Sequence, residues 1–234
     1  MLSFATWAFQ LAWPQFLFSH QRNPDAPRLY ARVFTYFLAA MSLVWLTLSL
    51  LAQEIVRIMA HSSFHDSYRV VPWIAGAFLF EGLAYVGNIG MPLHRKVKYR
   101  PFIIGTVTAL NIGLNLLLIP PYGAIGVAIS IFASFVVKFV LDILVGYRLY
   151  AVPYEYGRLI RLGLVGLALY AAGISIAWGS TWMAVAGKTL LLLVFPVLLL
   201  ITGFFRPGEL ARLKTSLTQL RWKPGARLAR NAGK

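Results

Sequence analysis

Glu81, Tyr85, Asn88, Asn111, Asn115, Lys138, Asp142 and Lys188 are polar side chains set in stretches otherwise fit for lipid. Glu81, Tyr85 and Asn88 recur at helical spacing and share one face. A charged side chain at a bilayer centre costs about 2.5–3.5 kcal/mol, so Glu81 must face protein or water. A carboxylate lining a cavity binds a proton or cation, whereas a packed one is a protonated hydrogen-bonding group.

Asn111 and Asn115 lie four residues apart and share a face with Thr108. Such amides donate to and accept from polar groups of a substrate, or join helices at roughly 0.6 kcal/mol per bond. Ser130, Ser134, Lys138 and Asp142 form an i, i+4 ladder. Lys138 and Asp142 can pair within one helix and lower each other's desolvation cost. Functionally, Lys138 would hold an anionic substrate group and Asp142 would release it. Structurally, the two would be an ion pair near the interface, with Lys138 extended toward water. Lys188, two turns into the last apolar segment, has the same two readings: an extended lysine or a phosphate contact.

His61, His65 and Asp66 have metal-ligand spacing, but they occupy a short loop where polar residues are ordinary. Neither a metal nor another cofactor is expected. No nucleophile elbow, phosphate loop or paired-carboxylate pattern appears, so an enzyme is not expected either.

The elements that must position these groups follow from composition. The 234 residues are 59% hydrophobic and 12% charged, with a mean hydropathy of +0.70. That much apolar surface exceeds what a soluble domain buries, so the chain is an integral membrane protein. The absence of cysteine excludes disulfides and thiol chemistry. A net charge of +15 is of the kind that binds nucleic acid. The cations instead fall between apolar segments and in the tail, as topological signals and anionic-lipid contacts do, and no nucleic-acid partner is expected.

Apolar segments run over about 1–19, 30–52, 71–93, 101–119, 122–147, 159–178 and 182–205. About 20 helical residues cross a hydrocarbon core of roughly 30 Å, so six of these can span and the first, broken by Pro14, is partial. Arg22, Arg28 and Arg32 follow the first segment, Arg95 to Arg100 the third, and Arg148, Arg158 and Arg161 the fifth. The intervening loops are neutral, or balanced, as with Glu54 and Asp66 against Arg57 and Arg69. Every second loop is therefore basic, which predicts a cytoplasmic C-terminus and an N-terminus facing outward. Trp7, Trp13, Tyr122, Tyr154, Trp178 and Trp182 are placed as interfacial aromatics. The division is a helical lobe over 1–205 and a basic amphipathic tail over 206–234, lying on the inner leaflet. The fold class is all-α, a polytopic membrane bundle.

Three stretches carry a family likeness: Phe9 to Phe16 around Ala12-Trp13-Pro14, Tyr68-Arg69-Val70-Val71-Pro72, and the hairpin from Leu110 to Ala128 around Asn111, Asn115 and Ile119-Pro120-Pro121-Tyr122-Gly123. They resemble the polysaccharide-biosynthesis flippases of the superfamily that also contains multidrug exporters. The resemblance implies two helical lobes facing a central cavity, of which this chain is the C-terminal one. It implies transfer of a polyprenyl-pyrophosphate-linked oligosaccharide across a bacterial inner membrane, for O-antigen or exopolysaccharide assembly. Membrane lipid, the lipid-linked oligosaccharide and a separately encoded N-terminal lobe are the partners implied. Three rivals stand beside it: a cation-coupled drug exporter anchored on Glu81, a membrane-embedded transferase using the His61–Asp66 loop, and an inactive half that needs its partner.

Overall fold

In the computed structural model, which describes residues 12–176 and 179–204, every regular element is helical. Helix α1 covers residues 12–20. It is followed by α2 (Ala26–Leu50), α3 (Ala52–Met59), a 3-10 stretch (Ser62–Val70), α4 (Val71–Gly87) and the short α5 (Gly90–Leu93). A second 3-10 turn (Val97–Tyr99) then leads into α6 (Arg100–Tyr122), α7 (Ala124–Leu149), α8 (Tyr156–Ser175) and α9 (Thr181–Ile201). Six spans among the described residues are long and apolar enough to cross a membrane, which makes the protein an all-α polytopic bundle. Trp7, Trp178 and the tail over 206–234 lie outside the described residues.

Packing follows from where the apolar residues leave room. Helix α4 carries small residues on several faces and sits between α2 and α7. Helix α2 continues the row to α8 and α9, and α7 continues it to α6. Half of the most apolar stretch of the α4 span is buried, against 6% of that containing α6. Helix α4 is therefore central, while α6 rests on α7 and turns Phe102, Leu116 and Leu117 outward, as a lipid-facing helix does.

Two apolar clusters hold the row. One joins Trp13, Leu17, Tyr30, Phe34, Leu83 and Val86; the other joins Leu46, Leu50, Leu162, Leu169, Phe195 and Leu199. The Tyr30 hydroxyl donates to the Leu17 carbonyl at 2.7 Å, tying α1 to α2. Trp45 Nε1 donates to the Pro72 carbonyl at 3.0 Å, tying α2 to the start of α4.

The antiparallel course gathers the basic connections at one end of the bundle. Tyr30 meets Tyr150 and His94 meets Tyr150 there, so the loops around 20–26, 88–100 and 149–156 are neighbours. The stretch around 51–71 shares the opposite end with Ile176, Gly179, Ser180 and Thr181.

Several boundaries differ from those the hydropathy suggests. The segment 71–93 is not one helix: α4 stops at Gly87, and Asn88 leaves helical geometry with φ −79° and ψ 72°. The segment 30–52 begins earlier, at Ala26, and turns at Leu51 into α3. Pro120 and Pro121 do not end α6 but lie in its last turn, which closes when Gly123 N donates to the Ile119 carbonyl at 2.8 Å. The reversal itself falls on Gly123, whose φ of 54° is accessible to glycine without a side-chain clash. Trp13 is not interfacial: it is 4% exposed, stacked on Phe16 in the first cluster. Trp182 and Tyr122 are exposed at helix ends, as interfacial aromatics are.

Candidate functional site

The break after Gly87 builds the first site. Losing the helix there frees the Gly87 carbonyl, which accepts from Ile89 N at 2.9 Å and from the Tyr154 hydroxyl at 3.0 Å. Tyr154 was placed at the interface by sequence; its ring instead packs on Phe34 at 5.0 Å. Burial, with a smaller contribution from Tyr156, pushes its hydroxyl well above the usual phenol range, so it stays a neutral donor. Gly90 then lets α5 lie against α7, since a Cβ there would stand 2.2 Å from the Gly146 carbonyl oxygen.

That approach brings Asn88 to Asp142. Asn88 Nδ2 donates to Asp142 Oδ1 at 3.1 Å, and Lys138 Nζ donates to Oδ2 at 3.3 Å. Both carboxylate oxygens are thereby engaged. The side chain of Lys138 is 20% exposed and that of Asp142 6%, so the cation stands nearer the accessible surface than its partner does. Asn88 Oδ1 is buried without a hydrogen-bond partner among the described residues. These groups, with Tyr85 and Arg100, line a cavity of about 230 Å³ closed on its apolar side by Trp13 and Leu17. A hollow with two cations, one carboxylate and an unfilled amide acceptor can hold a compact anion that also donates a hydrogen bond.

Asn111 and Asn115 are elsewhere. Asn115 Nδ2 donates to Asn111 Oδ1 at 3.0 Å, and Asn111 Nδ2 donates to Ser134 Oγ at 3.1 Å. Ser134 Oγ donates on to the Ser130 carbonyl at 2.7 Å, and Ser130 Oγ to the Gly126 carbonyl at 2.8 Å. The chain of bonds holds α6 on α7, in the manner of an interhelical polar contact. The Glu81 side chain is half-buried, has no hydrogen-bond or ion-pair partner among the described residues, and is not among the residues lining the Lys138–Asp142 cavity.

Lys188 is not an extended interfacial lysine. It is 6% exposed, and its Nζ donates to Glu54 Oε1 at 2.6 Å across the junction of α9 and α3. Glu54, read from sequence as a loop charge offsetting Arg57, is a buried residue of α3. The signal was available in an inverted amphipathicity. Ile55, Ile58 and Met59 are exposed on α3 beside the exposed Arg57, and in a membrane protein an apolar face belongs to lipid. The polar face with Glu54 must then turn to protein. Tyr154 carried no such signal, because its partner Gly87 is 67 residues away in the chain, and Arg100 enters only by lining the cavity.

His61 and His65 bond locally, through Ser63 and the Ala60 carbonyl, and no group of metal-ligating side chains occurs among the described residues. No family model, curated protein or solved structure matches the chain.

Proposed function

We propose that the protein is one lobe of a membrane flippase that moves a polyprenyl-pyrophosphate-linked oligosaccharide across a bacterial inner membrane. The basic end of the bundle faces the cytoplasm in this reading, because Lys and Arg retain short loops there. The carrying observation is the cavity at the α4 break, where Lys138, Asp142, Asn88 and Arg100 converge near that basic end. Broken helices at the heart of a bundle are a recurring way to expose polar groups to substrate within a membrane.

The cavity's size limits what it takes. Drug-sized ligands occupy roughly 300–1,000 Å³, and 230 Å³ is smaller. The pyrophosphate fits such a space; the oligosaccharide would lie outside it, between this lobe and a partner lobe, with the polyprenyl tail in lipid. Lys138 and Arg100 attract the pyrophosphate, and Asp142 competes for Lys138 to permit release. Rocking of the two lobes would then carry the headgroup across.

Purification from native membranes followed by mass spectrometry tests the reading. Recovery of a lipid-linked sugar, or of a second helical lobe, is the expected result. A reconstituted chain, with its co-purifying partners, that fails to flip a fluorescent lipid-linked oligosaccharide overturns it.

A further inference from the structure

The outward face of α6 carries two features that meet end to end. At its head the chain runs His94-Arg95-Lys96-Val97-Lys98-Tyr99-Arg100, with every one of these residues exposed. No carboxylate pairs with Arg95, Lys96 or Lys98 among the described residues. Lys98 instead stands over the Tyr99 ring at 5.6 Å, and Val97, Tyr99 and Phe102 expose apolar surface between and beside the cations. Water solvates the cations but not the interleaved apolar groups, so the stretch suits the boundary between headgroups and hydrocarbon.

Beyond this end, Gly105, Ala109 and Gly113 lie four residues apart on one face of the helix, and all three are exposed. Gly90 and Gly126 each admit a neighbouring backbone, but a Cβ at Gly105 or Gly113 would find nothing within 4 Å. Glycine weakens a helix relative to alanine, and here no close helix contact offsets that loss. The result is a strip without side-chain bulk, bordered by the exposed Phe102, Ile112, Leu116 and Leu117. Gly113 lies roughly 17 Å along the axis from Phe102. That is about the depth of one leaflet, half of a hydrocarbon core of roughly 30 Å. A second copy of the chain competes for such a strip, because small residues let transmembrane helices approach. Copies of one chain insert with the same orientation, so pairing α6 with α6 would set the two groups of cations side by side, and like charges repel. An anionic lipid brings opposite charge to the cations and a flexible chain to the strip.

We infer that the outward face of α6 is a docking surface for an anionic phospholipid, with the headgroup phosphate on Arg95, Lys96 and Lys98 and an acyl chain along Gly105, Ala109 and Gly113. None of these six residues lines the Lys138–Asp142 cavity. The surface therefore stands whether or not the chain moves a lipid-linked glycan.

The chain has no cysteine, so Leu117→Cys places a single bimane fluorophore at the border of the strip. The full chain is reconstituted in phosphatidylcholine, with brominated phosphatidylglycerol or brominated phosphatidylcholine as the quencher at matched fractions. Phosphatidylglycerol should quench with about tenfold higher apparent affinity, and the preference should shrink in high salt as the charges are screened. Lys96→Gln with Lys98→Gln should remove most of the preference, and Lys96→Arg with Lys98→Arg should keep it. Gly105→Leu with Gly113→Leu changes no charge and meets no neighbour; it should weaken quenching by phosphatidylglycerol severalfold. Equal quenching by the two lipids, a preference that survives the glutamine pair, or indifference to the filled strip overturns the proposal. Ready disulfide formation between copies carrying Gly113→Cys also overturns it, by assigning the strip to a second chain.

Discussion

Lys188 and Glu54, 134 residues apart in the chain, meet at 2.6 Å with both side chains less than a tenth exposed. The pair joins the last described helix to the bend after α2 and so closes the second half of the row. Removing one partner of a buried pair strands a charge and costs about 3–5 kcal/mol, whereas replacing both by apolar groups is far milder. Lys188→Met should therefore lower stability by about that amount, and Lys188→Met with Glu54→Leu should recover most of it. Denaturation in detergent micelles measures the cycle; additive effects would refute the coupling.

Lys138 and Asp142 also pair, but unequally exposed, and that inequality predicts different variants. Lys138→Ala should slow flipping of a lipid-linked oligosaccharide about ten- to hundredfold, the size of one charge-assisted contact of roughly 1.5–3 kcal/mol. Asp142→Asn should slow it less, because Asn88 and Lys138 remain. A reconstituted flipping assay decides, and the reverse order would mark the pair as purely structural.

Glu81 has no partner among the described residues, so its charge is the one to probe for ion coupling. Glu81→Gln should abolish dependence of transport on an imposed pH or sodium gradient while membrane insertion stays intact. Gradient-driven flipping equal to that of the parent would assign Glu81 to packing.

Tyr154 holds the α4 break by donating to the Gly87 carbonyl, and Tyr154→Phe should cost about 1 kcal/mol in a chemical melt. Its alkaline behaviour follows from the direction of its titration. The folded hydroxyl keeps its proton to higher pH than the unfolded one. Its contribution is therefore complete below the ordinary tyrosine value near 10 and is lost as pH climbs from there toward the folded value. Tyr154→Phe should flatten that alkaline loss; an unchanged slope would show that other groups cause it.

Gly90 marks where backbone meets backbone. Gly90→Val should push α5 from α7, since the Gly146 carbonyl cannot yield 2.2 Å to a Cβ, and cost about 1–3 kcal/mol. An accessible-probe measurement at Asn88→Cys in that background should report an opened cavity. Protection equal to that in Asn88→Cys alone would contradict the packing account.

Much of this bundle was legible from the chain alone. Long apolar runs impose helices, because lipid satisfies no backbone group. The alternation of basic and neutral loops foretold which connections share an end. The spacing of Ser130, Ser134, Lys138 and Asp142 foretold the ladder within α7, since an i, i+4 contact needs no other element.

The partners across elements were decided only by the tertiary structure. Asn88 reaches Asp142 over 54 residues because α4 breaks at a point that hydropathy passes over, and because Gly90 admits the backbone of α7. Glu54 leaves the loops for the interior because α3 turns Ile55, Ile58 and Met59 outward and its opposite side onto α9. Local periodicity says which face of a helix is polar; packing says which neighbour that face meets, and two helices brought together fix a contact that neither segment encodes by itself.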